Sequence, residues 1–145
     1  MSTEGKPTNP KDRDAEGDGR IDLSLFPDTA VVYGALGMTE GDCKYGGYNY
    51  RPNGVQASTY IAACRRHLYK WWNGDNEDPH TGVPHLASAL ACIAVIIDSL
   101  EAGNLVDNRP PKVSLEGLMN RMKEKVKHLH KIFPNGPKRY TEKGE

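Results

Sequence analysis

From Pro84 to Asp98 the chain reads PHLASALACIAVIID, apolar on nearly every side when wound into a helix. A helix without a polar face belongs inside, with other helices around it. Its apolar part, Leu86 to Ile97 with Ser88 inside it, is too short to span a bilayer, which takes about 20 residues. Pro84 suits the first turn of such a helix. No period-two alternation persists elsewhere, so the expected fold is all-α. It is a helical bundle of about four helices with this one at its centre.

The remaining helices have readable ends. Asp28 or Thr29 can cap a helix that runs to about Tyr45, where Gly46 and Gly47 stop it. Inside it Gly34, Gly37 and Gly41 recur at three and four residues and, with Ala30, form one smooth face. Each glycine costs about 1 kcal/mol relative to alanine. Close approach by another helix would offset that. A two-fold interface uses one face twice, so a homo-oligomer (dimer or tetramer) packed through these glycines is expected. The competing arrangement packs the same face against Leu86–Ile97 of its own chain. The next helix spans about Ser58 to Trp72, with Tyr60, Ile61, Cys64, Leu68, Trp71 and Trp72 as its stripe, His67 at the stripe's edge and Gly74 as its end. After Ser114 a fourth helix carries Leu115, Leu118, Met122, Val126, Leu129 and Phe133 on one side and many lysines elsewhere. The organisation expected is a flexible polar leader over 1–20 and a single helical domain over 21–133. An apolar anchor, Ile21 to Pro27, tucks against its core, and a flexible tail covers 134–145.

Nineteen basic and nineteen acidic side chains cancel over 145 residues. Generic nucleic-acid binding through a basic surface is therefore not expected. The first twenty residues hold no apolar run of the kind an export leader needs. Cys43, Cys64 and Cys92 lack CxxC spacing and fall in apolar helical segments, which reads as reduced thiols packed as small hydrophobes. A soluble cytoplasmic protein without membrane contact is expected.

Usable chemistry concentrates between Arg65 and Asp98. His67, His80 and His85 are spaced H-x12-H-x4-H, which matches no strong zinc signature. The cysteines offer no exposed, activated thiol. Asp75, Glu77 and Asp78 beside Arg65, Arg66 and Lys70 combine carboxylates for a hard divalent cation with cations for phosphates. The plainer alternative is a solvated acidic loop next to a basic helix end. On the central helix His85, Ser88, Cys92 and Ser99 share one face and need partners if buried. Asp98 falls on roughly the opposite face. Glu40 and Lys44 are four apart, placed either for an ion pair or for a site.

Five segments then bear on family: TNPKD (Thr8 to Asp12), DLSLFP (Asp22 to Pro27), EGDCKYGGYNYR (Glu40 to Arg51), RRHLYKWWNGDNEDPHTGVPHLASALACIAVIID (Arg65 to Asp98) and DNRPP (Asp107 to Pro111). In this order they resemble a phage-encoded dATP/dGTP diphosphohydrolase family, allied to the MazG-like all-α nucleotide pyrophosphohydrolases. The resemblance covers residues 8 to about 112 and leaves the fourth helix, 114–133, outside it. His80 stands where that family has an acid and Ser88 where it has a second histidine. The paired E-x-x-E/D signature of MazG-type enzymes is absent.

The resemblance implies a fold of the MazG-like kind and Mg²⁺- or Mn²⁺-dependent cleavage of a purine deoxynucleoside triphosphate to its monophosphate and pyrophosphate. A role in shaping the phage nucleotide pool, in the host cytoplasm, goes with it. In that reading Glu40, Glu77 and Asp78, with His80 or His85, hold the metal. Lys44, Arg65 and Arg66 balance phosphate charge, and His67 or His85 is the general base. Asn49 with Tyr48 or Tyr50 reads the purine. The rival readings are a non-catalytic nucleotide or nucleic-acid binding module that uses the basic last helix, and a structural phage assembly protein.

Overall fold

The computed structural model describes residues 9–144. It is all-α, with six α-helices among the described residues: α1 (Pro10–Gly17), α2 (Asp28–Tyr45), α3 (Tyr50–Asn53), α4 (Ala57–Trp72), α5 (His85–Glu101) and α6 (Leu115–Ile132). The only strands among the described residues are β1 (Val55–Gln56) and β2 (Leu105–Val106), paired in parallel with Val55 opposite Leu105. The chain divides after Arg109 into two compact units.

In the first unit α5 packs against both α2 and α4. Its buried side chains are mostly small: Ala87, Ala89, Ala91, Val95 and Ser99, with His85. Its larger ones, Ile93, Ile97 and Leu100, are exposed. The helix is therefore central on one side only, because alanines admit neighbouring backbones closely where branched chains would hold them off. The α2 glycines use that space. A Cβ on Gly37 would stand 2.5 Å from the Ala87 carbonyl oxygen and 2.8 Å from the Ala91 Cβ. Gly34 faces Leu90, whereas Gly41 has nothing within 4 Å. The smooth face is thus occupied from within the chain at Gly34 and Gly37. This corrects the expectation that a second copy packs there.

Helix ends follow local chemistry. Gly46, at φ 88°, stops α2 in a conformation that side chains resist. The segment after α5 is tied to α3 by Asn104, whose amide donates to the Arg51 carbonyl, and to α4 by Asn108, which accepts from the Ser58 amide at 2.9 Å. Arg51 also donates to Asp98 at 2.7 Å. That ion pair is where Asp98 goes, away from the histidine face as expected.

Other expectations are corrected. Pro10–Gly17 form a helix, capped by the Asn9 side chain, inside the stretch read as a flexible leader; residues 1–8 lie outside the described residues. The segment Ile21 to Phe26 contains a short 3-10 turn over Leu23–Leu25, but Ile21, Leu23 and Leu25 are about four-fifths exposed rather than anchored in the core. Cys43 is exposed, while Cys64 is buried and Cys92 half-buried, all three as free thiols. Trp71 and Trp72 are exposed too. The six-residue stripe of α4 is wider than its main neighbour, α5, covers.

The second unit is α6 and its flanks. Ser114 Oγ accepts from the Gly117 amide at 3.1 Å and caps the helix. Its stripe, Leu115, Leu118, Met122, Val126 and Leu129, is exposed. No helix of the described residues is long and apolar enough to cross a membrane.

Candidate active site

A cleft of about 610 Å³ opens in the first unit between the C-terminal half of α2, the turn 46–49, Tyr50 of α3, and the facing sides of α4 and α5. Gly41 matters here because the absent side chain leaves the α2 wall open. Glu40 and Lys44 line the cleft one turn apart and form an ion pair of 3.1 Å. Glu40 holds the Lys44 ammonium pKa above its ordinary value through that hydrogen bond and its charge.

The turn after α2 supplies the aromatic wall. Tyr48 is the one described residue other than glycine with a positive φ, 58°. Holding a tyrosine in the left-handed region costs on the order of 1 kcal/mol or more. Its ring lies 5.7 Å from that of Tyr50, tilted by 46°, and the Arg51 guanidinium stands 5.3 Å from its centre. Arg51 is itself fixed by Asp98, so the backbone of α5 indirectly positions this ring. Asn49 lines the cleft between the two tyrosines.

The floor comes from α4 and α5: Tyr60, His67, Ser88, Ala91, Cys92 and Val95. Burial pushes the Cys92 thiol up to about 11, which removes it as a nucleophile at neutral pH. His67 Nδ1 lies 3.0 Å from His85 Nδ1, with the rings tilted by 34°. Burial, and then the neighbouring His85, lower the His67 pKa. His85 itself is 2% exposed and starts α5 behind the cleft, its amide donating to the Asn76 carbonyl at 3.0 Å. Ser88 and Cys92 of the same stripe reach the cleft. Ser99 is fully buried, and its hydroxyl has no hydrogen-bond partner among the described residues.

Of the residues singled out from the sequence, Glu40, Lys44, Tyr48, Asn49, Tyr50 and His67 are brought together, with His85 directly behind His67. Arg65 and Arg66 are exposed on α4 and do not line the cleft; neither do Glu77, Asp78 and His80. Asp78 instead builds its own loop, Oδ1 accepting from the His80 and Thr81 amides at 2.8 and 2.9 Å, which lowers its pKa. The carboxylate expected on a metal is thus committed to a turn. Among the described residues no three His, Cys, Asp or Glu side chains converge to hold one ion. Asp42 and Tyr60 line the cleft without having been singled out. The signal for Tyr60 was its place two turns before His67 on one face of α4.

Residues 9–109 match the family model described as dATP/dGTP diphosphohydrolase, N-terminal. The chain belongs to that family and is an enzyme of the nucleoside triphosphate pyrophosphohydrolase class. The match ends where the first unit ends. Neither the curated proteins nor the solved structures include a match to this chain.

Proposed function

We propose that the cleft hydrolyses a purine deoxynucleoside triphosphate, dGTP or dATP, to the monophosphate and pyrophosphate. The observation that carries this is the meeting, inside the family-matched unit, of three kinds of group around one cavity. They are an ammonium (Lys44), a half-buried imidazole (His67) and a pair of tyrosines around Asn49. A ring can stack on a purine and an amide can pair with its edge, while Lys44 offsets charge that grows on the leaving pyrophosphate. One of the two histidines takes the proton of the attacking water.

Mg²⁺ or Mn²⁺ is expected with this chemistry. Mg²⁺ is commonly bound by only one or two carboxylates together with substrate phosphates. Glu40 fits that sparse role; Glu77, Asp78 and His80, outside the cleft, do not. When bound, the ion would polarise phosphate oxygens and acidify a water.

The enzyme is also proposed to work as a homo-oligomer, through the exposed apolar face of α5 (Ile93, Ile97 and Leu100) rather than the glycine face. Light scattering at micromolar concentration should give a dimer or larger; a monomer would overturn this part. The reaction is tested by incubating the protein with dGTP or dATP and Mg²⁺ or Mn²⁺, then resolving products by ³¹P NMR. Monophosphate and pyrophosphate are expected. Orthophosphate with a diphosphate would overturn the reaction type, and no turnover of any nucleotide would overturn the substrate assignment.

A further inference from the structure

Two imidazoles whose Nδ1 atoms lie 3.0 Å apart can share only one hydrogen between them. One ring donates from Nδ1; when neutral, that ring leaves Nε2 as a free base. The other ring accepts at Nδ1 and carries its own hydrogen on Nε2. The direction of this bond therefore decides which histidine can take a proton from a reactant.

We propose that His67 is the base of the reaction and that His85 acts only through it, accepting a hydrogen bond from His67 Nδ1–H and so leaving His67 Nε2 unprotonated toward the cleft. This rests on the hydrolytic reading above. Access gives the argument: His67 lines the cavity, whereas His85 is 2% exposed behind it and lies outside the lining, so only His67 can present a ring nitrogen to a reactant. The arrangement places a neutral imidazole where a serine hydrolase places aspartate, fixing a tautomer without adding charge to a phosphate-binding cavity.

The step balances simply. A water oxygen bonds to the α-phosphorus as the bond from that phosphorus to the bridging oxygen breaks. The water proton passes to His67 Nε2 and leaves to solvent when products depart. His67 holds its Nδ1–H toward His85 throughout. His85 is thus a positioning residue.

The test joins a tautomer measurement to kinetics. In the ¹⁵N NMR spectrum of the wild-type protein at neutral pH, His67 should show a protonated Nδ1 and a bare Nε2, and His85 the reverse; the opposite pattern overturns the proposal. His85→Asn keeps an oxygen where Nδ1 was, and His85→Leu removes it. On the substrate that wild type turns over, His85→Leu should lose kcat about tenfold to a hundredfold, as partners that orient a ligand typically do, with KM within about twofold. His85→Asn should recover most of it, and His67→Gln should lose about a hundredfold or more. A folded His85→Leu with unchanged kcat, or a His85→Asn no better than the leucine at equal Tm, overturns the proposal. Should His85→Leu fail to fold, the asparagine variant and the wild-type spectrum still decide. Absence of turnover in the wild type would count against the hydrolytic reading, while the spectrum tests the direction of the bond independently.

Discussion

Adding one methyl group along α2 should have opposite effects at two glycines one turn apart. At Gly37 the new Cβ would sit 2.5 Å from the Ala87 carbonyl oxygen and 2.8 Å from the Ala91 Cβ. Ordinary contact begins near 3.4 Å, so α2 and α5 must separate by about 0.9 Å, and backbone atoms cannot swing aside as a side-chain end can. Overpacking of that kind costs about 1–3 kcal/mol, and the gain in helix propensity returns about 1. Gly37→Ala should therefore lose up to about 2 kcal/mol. Gly41 meets nothing within 4 Å, so Gly41→Ala should gain about 0.5–1 kcal/mol from propensity alone. Gly34 faces the flexible Leu90 Cδ2 at 3.2 Å and should fall between. A gap of about 2 kcal/mol between the extremes corresponds to roughly 8–16 °C in Tm for a unit of this size. Circular dichroism melts and urea midpoints on the three variants read this order directly. Equal stability for Gly37→Ala and Gly41→Ala would refute the tight α2–α5 approach.

Other outcomes follow from the charges and caps. Asp98→Asn should destabilise the protein at neutral pH. The Arg51 bond holds the Asp98 carboxyl below 3.8 when folded, so its contribution is full above that value and fades as pH falls through the lowered one; urea midpoints of both proteins should converge in strong acid. His67 is lowered from 6.5 by burial, so the unfolded chain takes a proton there first and stability should drop as pH falls below 6.5. His67→Gln should flatten that slope in thermal melts. Ser114→Ala removes the cap on Gly117 and should cost α6 about 0.5–2 kcal/mol, read as faster amide exchange in its first turn.

The helical class and the limits of α2, α4 and α5 were legible because glycines 46 and 74 and Pro84 mark chain positions that a helix tolerates only at its ends. Which side of α5 is covered was not legible. Periodicity sees that Ile93 and Ala91 are both apolar, but the choice between them depends on how closely the α2 glycines approach. The ion pair of Glu40 and Lys44 was readable from a four-residue spacing, yet its place in a cleft depends on Gly41 and the Tyr48 turn. Asp78 misled for a local reason. A carboxylate two and three residues before free amides satisfies them first, and the DPHTG sequence is as good a turn as it is a ligand loop. His67 and His85, eighteen residues apart, meet only because the loop between them folds α5 back along α4.

Fourteen of the twenty residues lining the cleft come from one continuous run, Ala35 to Tyr50. The other six, His67 among them, belong to the helices that also build the core. Within that run the parts differ in how freely they can change. Gly37 is held by the α5 backbone, and Glu40 and Lys44 by their ion pair, whereas the turn from Gly46 to Asn49 lies past the end of α2 and touches neither histidine. A lineage under pressure to accept a different ligand could alter those few consecutive codons while leaving the α2–α5 contact and the histidine pair in place.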